Sequence, residues 1–351
     1  MKKTILPVGP FHPAVRTPER AALRLDGERI AGLESGSGYT HRGLEKLAES
    51  RSWRQALALA ERAGRGGAVA HALAFAGAVE ALAGVRPPPR ALYLRTIFAE
   101  VERVRDHLAW VSALGRALGC EALAMRAGGL LGPAGDVLEA LTGSRAGFGA
   151  VSLGGAARDP GPEELGLLGP WLDGLEPAAG RLADEVGGGA LLRPRLEDVG
   201  ALDGRAAREL GAVGPAARAA GLAIDVRRNA PYAAYADMEW DVCVEEGGDL
   251  LAIALVRARE LAESARILRR AARRIPAGPV EAAVRAVPPG EAAGRAEAPG
   301  GEAFHFVISA GGPGPQRLRI RSPREANAAG LAARAAGAAV ADAPLILAAA
   351  E

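Results

Sequence analysis

IFAEVERVRDHLAWVSALGRAL, residues 97–118, is the stretch that decides the class of this fold. Ile97, Val101, Val104, Leu108, Val111 and Leu118 recur at spacings of three, four and seven. That period belongs to an α-helix with an apolar stripe. Glu100, Glu102, Arg103, Arg105 and Asp106 fall between the apolar positions, which predicts a helix packed on one side with its charges on the other faces.

Pro87-Pro88-Pro89 separates this helix from an apolar one over about 68–85, and Gly64 to Gly67 separates that from a helix over 52–62. Helical periodicity extends from Leu44 to about Thr142, and residues 143–163 are glycine-rich and loop-like. Helical patterns return over 163–185, interrupted at Pro170 and Pro177, over 203–220, and over 250–275. In the last of these the arginines gather toward the C-terminal end, which the helix dipole favours. Residues 278–301 read as a linker or mobile loop.

β structure is expected at both ends. Leu23 and Leu25 alternate with Arg24 and Asp26 ahead of a turn at Asp26-Gly27, and Phe304, Phe306 and Ile308 alternate ahead of a turn over 311–315. The chain is therefore α+β in three parts: an N-terminal β hairpin and loop region (1–43), a helical core (44–300), and a C-terminal β hairpin and helix (301–351).

Composition narrows the function classes. The 351 residues are 49% hydrophobic and carry a formal net charge of +2, which excludes a disordered chain and a basic nucleic-acid-binding surface. Two cysteines, Cys120 and Cys243, exclude a disulfide scaffold. Met1-Lys2-Lys3 has the charge of a signal-peptide start, but Pro7, Gly9, Pro10 and Pro13 break the apolar stretch behind it. No run of about eighteen uncharged apolar residues predicts a membrane span.

The five histidines, His12, His41, His71, His107 and His305, form no pair at metal-binding spacing, and no C-x-x-C is present. His71 and His107 lie within apolar helical patterns and read as packing residues. Arg62-Ala63-Gly64-Arg65-Gly66-Gly67 reads in two ways, as backbone that holds an anion before a helix or as a flexible connection.

A set of motifs in order goes further. Gly9-Pro10-Phe11-His12-Pro13, Gly38-Tyr39-Thr40-His41-Arg42-Gly43-Leu44-Glu45-Lys46, Phe98-Ala99-Glu100 with His107-Leu108, Asp225-Val226-Arg227-Arg228, Glu297-Ala298-Pro299-Gly300-Gly301 and Arg319-Ile320-Arg321-Ser322-Pro323 span nearly the whole chain. Together they resemble one superfamily: the D subunit of NADH-quinone oxidoreductase (respiratory complex I) and the large subunits of energy-converting nickel–iron hydrogenases. The resemblance implies a nickel–iron hydrogenase large-subunit type of fold, a central helical bundle with small N- and C-terminal β elements. It implies an oxidoreductase subunit of a membrane-associated complex, with an iron–sulfur small subunit, other peripheral-arm subunits and a membrane module as partners, and no nucleic acid. The implied place is peripheral, on the cytoplasmic side of the inner membrane.

Departures from the family pattern bear on the site. Gly64 and Gly67 stand at the first cysteine pair of the hydrogenase members, ahead of Val69-Ala70-His71-Ala72; the second pair is expected just beyond Pro344-Leu345-Ile346-Leu347, and the sequence reaches Glu351 without it. Arg65 and Arg16 stand at the quinone-binding tyrosine and histidine, and Gly147 at a cluster-proximal histidine. The resemblance therefore implies that this chain binds no metal and no cofactor of its own, leaves quinone as a candidate ligand, and puts the iron–sulfur cluster in the partner. The candidate cavity or cluster-proximal residues are His12, Arg16, His41, Arg42, Glu45, Arg62 and Arg65. Arg42 and Glu45 read either as a mutual ion pair or as cluster-proximal groups. Arg65, a permanent cation, implies a water-filled pocket or an anionic partner. A catalytically silent structural or coupling subunit is the alternative function.

Overall fold

An apolar stripe repeating every third or fourth residue must be buried against another element, and the long helices here bury theirs against one another. The computed structural model describes residues 4–13, 15–36 and 38–349; Met1, Lys2 and Lys3, with their signal-like charge, lie outside the described residues.

At the N-terminal end β1 (Thr4–Val8), β2 (Arg20–Asp26) and β3 (Arg29–Gly36) form an antiparallel sheet in that order. The expected hairpin forms, with Asp26 paired to Arg29 and the turn at Gly27 and Glu28, and β1 adds a strand by pairing Thr4 with Leu25 through Val8 with Ala21. Short helices α1 (Leu44–Ala48) and α2 (Trp53–Ala60) lead to the central pair, α3 (Ala68–Ala83) and α4 (Pro89–Ala117). Against α4 pack α5 (Glu121–Gly129) and α6 (Leu131–Thr142). The glycine-rich loop that follows carries only a two-residue-per-strand hairpin, β4 (Val151–Ser152) with β5 (Gly155–Ala156).

Helices α7 (Pro162–Gly166) and α8 (Leu168–Gly188) come next, then the short α9 (Arg193–Leu196), α10 (Gly204–Glu209), α11 (Pro215–Arg218) and α12 (Val226–Asn229). The long α13 (Leu250–Arg274) packs on both α4 and α8. A second antiparallel sheet, β6 (Gly290–Ala298), β7 (Gly301–Ser309) and β8 (Arg317–Arg321), precedes α14 (Pro323–Ala335) and α15 (Ala343–Ala349). The two ends of the chain meet: Ile30 of β3 donates its N–H to the Ala338 carbonyl at 2.9 Å. No helix among the described residues is long and apolar enough to cross a membrane.

The structure corrects the sequence reading in four places. Helix α4 is not packed on one side. Glu100, Glu102, Arg103 and Asp106 are all buried, because they find opposite charges or hydrogen-bond donors on neighbouring elements. Helix α8 runs through both prolines: Pro170 lies in the first turn, where its missing N–H has no intrahelical partner to lose, and buried Leu172, Leu175, Leu182 and Val186 hold the helix across Pro177. The pattern over 203–220 is two short helices, split where Gly211 and Gly214 take positive φ.

Residues 278–301 are not a linker, because most of β6 lies there. This strand is built from glycine and alanine, so it lacks the branched and aromatic residues that mark a strand in sequence. The reason is contact with α3: a Cβ on Gly294 would stand 1.9 Å from the Ala74 carbonyl oxygen. The division at 300/301 falls in the turn of the β6–β7 hairpin, where Ala298 pairs with Gly301. On β7 the face against the bundle is Ala303, His305 and Val307, while Phe304, Phe306 and Ile308 are half-buried on the other face.

Candidate functional site

Both β ends converge on one cavity of about 1100 Å³. Residues 38–46 and the β8 and α14 side chains Arg317, Arg319 and Arg324 line its outer part. Buried His71 and Asp106, half-buried Arg16 and Gly64, and exposed Gly66 line its inner end.

The inner end depends on how α3 begins. Gly67 precedes the helix at φ 82° and has no side chain to cap it. The cap comes instead from α4: the Glu102 carboxylate accepts the N–H groups of Val69 at 2.9 Å and Ala70 at 3.3 Å. Burial pushes the Glu102 carboxyl up to about 7 in spite of these bonds. Beside it, Asp106 pairs with Arg16 at 2.8 Å and faces Arg257 at 3.8 Å. Burial disfavours the Asp106 carboxylate, but these two guanidinium groups outweigh burial and hold its pKa below the usual range.

Behind Asp106 the charges continue through the core. Arg257 Nη1 lies 3.2 Å from His107 Nδ1, and His107 Nε2 lies 2.7 Å from Glu260 Oε2. A guanidinium has only donors, so Nδ1 accepts and the ring proton sits on Nε2, donated to Glu260. Burial lowers the His107 pKa to about 4, so the ring is neutral. Glu260 then meets Arg218 at 2.7 Å, and Arg218 also meets Glu297 at 2.8 Å and Asp225 at 3.2 Å. Arg227 joins Asp225 at 2.7 Å to Glu100 at 3.0 Å, and Glu100 accepts from Tyr235 and Ser264, each at 2.6 Å.

His71 is different. Its Nδ1 lies 2.9 Å from His305 Nε2, while His71 Nε2 and His305 Nδ1 are buried without a hydrogen-bond partner. Burial lowers the His71 pKa to about 4.

Of the candidate residues, Arg16, His41, Arg42, Glu45 and Arg65 line this cavity, while His12 and Arg62 are outside its lining. Arg62 instead lies over the Phe148 ring, 4.6 Å from its centroid. Arg42 donates to the Arg62 carbonyl and not to Glu45. Glu45 pairs with Arg319 at 3.1 Å and accepts the Ile320 N–H at 2.9 Å, which ties α1 to β8. Arg65 is exposed, so its charge is hydrated. His71 and Asp106 were missed as site residues. Each lies inside or beside a quoted motif, but nothing local distinguishes a helical residue facing a cavity from one facing the core.

Cys120 and Cys243 are half-buried and lie outside the cavity lining; burial pushes the Cys243 thiol up to about 12. Among the described residues no group of three His, Cys, Asp or Glu side chains converges as a metal-ligand set.

The family model for the respiratory-chain NADH dehydrogenase 49 Kd subunit matches residues 133–287 and 283–351. The carbon monoxide-induced hydrogenase of Rhodospirillum rubrum is 34% identical over 99% of this chain and 97% of its own length. The NADH-quinone oxidoreductase D subunit of Desulfitobacterium hafniense is 34% identical over 92% of this chain and 88% of its own. Among solved structures, a chain of the membrane-bound sulfane sulfur reductase, an archaeal respiratory membrane complex, superposes with a TM-score of 0.94 at 32% identity, covering 99% of this chain and 96% of that one.

Proposed function

Since this chain belongs to the family of the respiratory-chain NADH dehydrogenase 49 Kd subunit, within the superfamily that includes hydrogenase large subunits, we propose that it is the large-subunit-like component of a membrane-associated respiratory complex. In this reading it docks on an iron–sulfur small subunit, on the cytoplasmic side of the membrane, and takes part in electron transfer with its nickel–iron ligands lost. The carrying observation is the cavity at the junction of both β ends, which is open to side chains of the 38–46 loop on one side and reaches His71 on the other.

The residues present do not fit a nickel–iron centre. Gly64 and Gly67 offer no ligand, no thiol lines the cavity, and a Cβ on Gly64 would already stand 2.9 Å from His71 Nε2. A soft metal needs thiolates at that point. Quinone in the family's manner fits poorly too, since Arg16 is engaged with Asp106 and Arg65 has no phenolic oxygen. What these residues do is hold fixed positive charge at the cavity, with Asp106 and Glu102 setting the position of Arg16 and of the α3 start.

The same replacements favour a second reading, a catalytically silent coupling subunit. Affinity purification of the tagged full chain from its native membrane tests both. Co-purification with an iron–sulfur protein and membrane subunits, with nickel far below stoichiometric, is expected. A chain recovered without partners would overturn the assembly. Introducing Gly64→Val into the assembled complex then separates the readings: lost acceptor turnover supports a working cavity, and unchanged turnover supports the silent role.

A further inference from the structure

We propose that the inner end of the cavity is a binding site for a small oxyanion or carboxylate, held between His71, Arg65 and Arg16. The proposal rests on the preceding reading of a cavity that has lost its metal ligands, but not on assembly with partners.

His71 carries the argument. Its ring is fully buried, lines the cavity, and has an Nε2 atom with no hydrogen-bond partner. An orphaned buried polar atom is destabilising and calls for an explanation. Gly64 packs beside this nitrogen, where a Cβ would sit 2.9 Å from it and 2.8 Å from the Gly66 carbonyl oxygen, so the 64–66 loop must give way for a ligand to reach Nε2. The partner ring allows the nitrogen to donate: with the shared proton on His305 Nε2, His71 Nδ1 accepts it at 2.9 Å and His71 Nε2 carries its own proton.

Charge selects the ligand. Four other arginines of the cavity wall are matched by carboxylates, Arg16 by Asp106, Arg317 and Arg319 by Glu49 and Glu45, and Arg324 by Glu19, and Arg42 is engaged with the Arg62 carbonyl. Arg65 has no carboxylate partner among the described residues and lines the same cavity next to Gly64. Backbone adds to this: the N–H groups of Gly64, Arg65 and Gly66, which line the same cavity, find no backbone acceptor among the described residues. Donors and positive charge without a protein acceptor recognise an anion with several oxygen atoms, which exchanges water at Arg65 for a charge-assisted hydrogen bond that a neutral quinone head group makes only weakly.

The test uses the full chain labelled with nitrogen-15 in its histidines, titrated with acetate, inorganic phosphate and neutral acetamide. Saturable binding of acetate or phosphate that moves the His71 ring resonances toward the Nε2-protonated form is expected, and which of the two binds more tightly assigns the ligand to carboxylates or to inorganic oxyanions. Arg65→Gln is expected to weaken that binding by about tenfold or more. Gly64→Ala is expected to abolish the His71 response, with a lowered but still cooperative thermal transition, because its Cβ would stand 2.8 Å from the Gly66 carbonyl oxygen and 2.9 Å from His71 Nε2. No saturable response at His71, an equal response to acetamide, or anion binding indifferent to both substitutions would overturn the proposal. Co-purification with membrane subunits is untouched by that failure, so the two readings fall separately.

Discussion

His71 and His107 are both fully buried helical histidines whose pKa burial lowers to about 4, yet they belong to opposite environments. His107 lies in a run of paired charges, with Arg257 donating to one nitrogen and Glu260 accepting from the other. His71 touches one other imidazole and keeps a bare nitrogen toward the cavity. A polar group satisfied on every side serves the architecture. One left unsatisfied where a cavity reaches the core is available to a ligand.

The largest test of this contrast is on the paired side. Arg218 neutralises Glu260, Glu297 and Asp225 together, all of them buried. Arg218→Met leaves three carboxylates short of a partner and should cost about 3–5 kcal/mol in chemical denaturation of the full chain. A loss under about 1 kcal/mol would show that the network does not hold the core.

The histidines themselves give the next effect. His107→Phe takes one hydrogen-bond partner each from Glu260 and Arg257, so about 1–3 kcal/mol should be lost already at pH 7. His71→Phe removes an orphaned nitrogen but also the single hydrogen bond to His305, so it should cost less than the two bonds lost with His107. Both rings are neutral in the fold, with pKa values depressed from 6.5 to about 4. Their contribution to stability is therefore present above pH 6.5 and lost as pH falls through 4. Each substitution should flatten the acid limb of a stability–pH profile, and equal losses at pH 7 would break the contrast.

Glu102 titrates the other way. Its pKa is raised from 4.5 to about 7, so its contribution is present below pH 4.5 and lost as pH rises through 7. Glu102→Gln escapes that loss, and its stability relative to the parent should rise by about 1–2 kcal/mol between about pH 6 and pH 9 in thermal or urea unfolding. Arg65→Gln, at an exposed side chain without an ion pair among the described residues, should stay within about 0.5 kcal/mol of the parent, confining its effect to the cavity.

Periodicity along the chain determined the long helices over 68–83, 89–117 and 250–274, the Asp26-Gly27 hairpin and the second hairpin over 301–321, because those signals are local. The order of short motifs determined the family; of the residues it singled out, Arg16, His41, Arg42, Glu45 and Arg65 line one cavity, while His12 and Arg62 are outside its lining. Tertiary structure alone decided the rest. Charges on α4 are solvated or buried according to what faces them, and Arg227, Arg16 and the α3 amides arrive from distant parts of the chain. The strand over 290–298 is visible only once α3 presses against it, since the contact demands the small residues that make the stretch resemble a linker. His71 is distinguished from His107 by its place in the cavity lining and its unpartnered Nε2, and a cavity is a property of packing, with no local code in the residues that bound it.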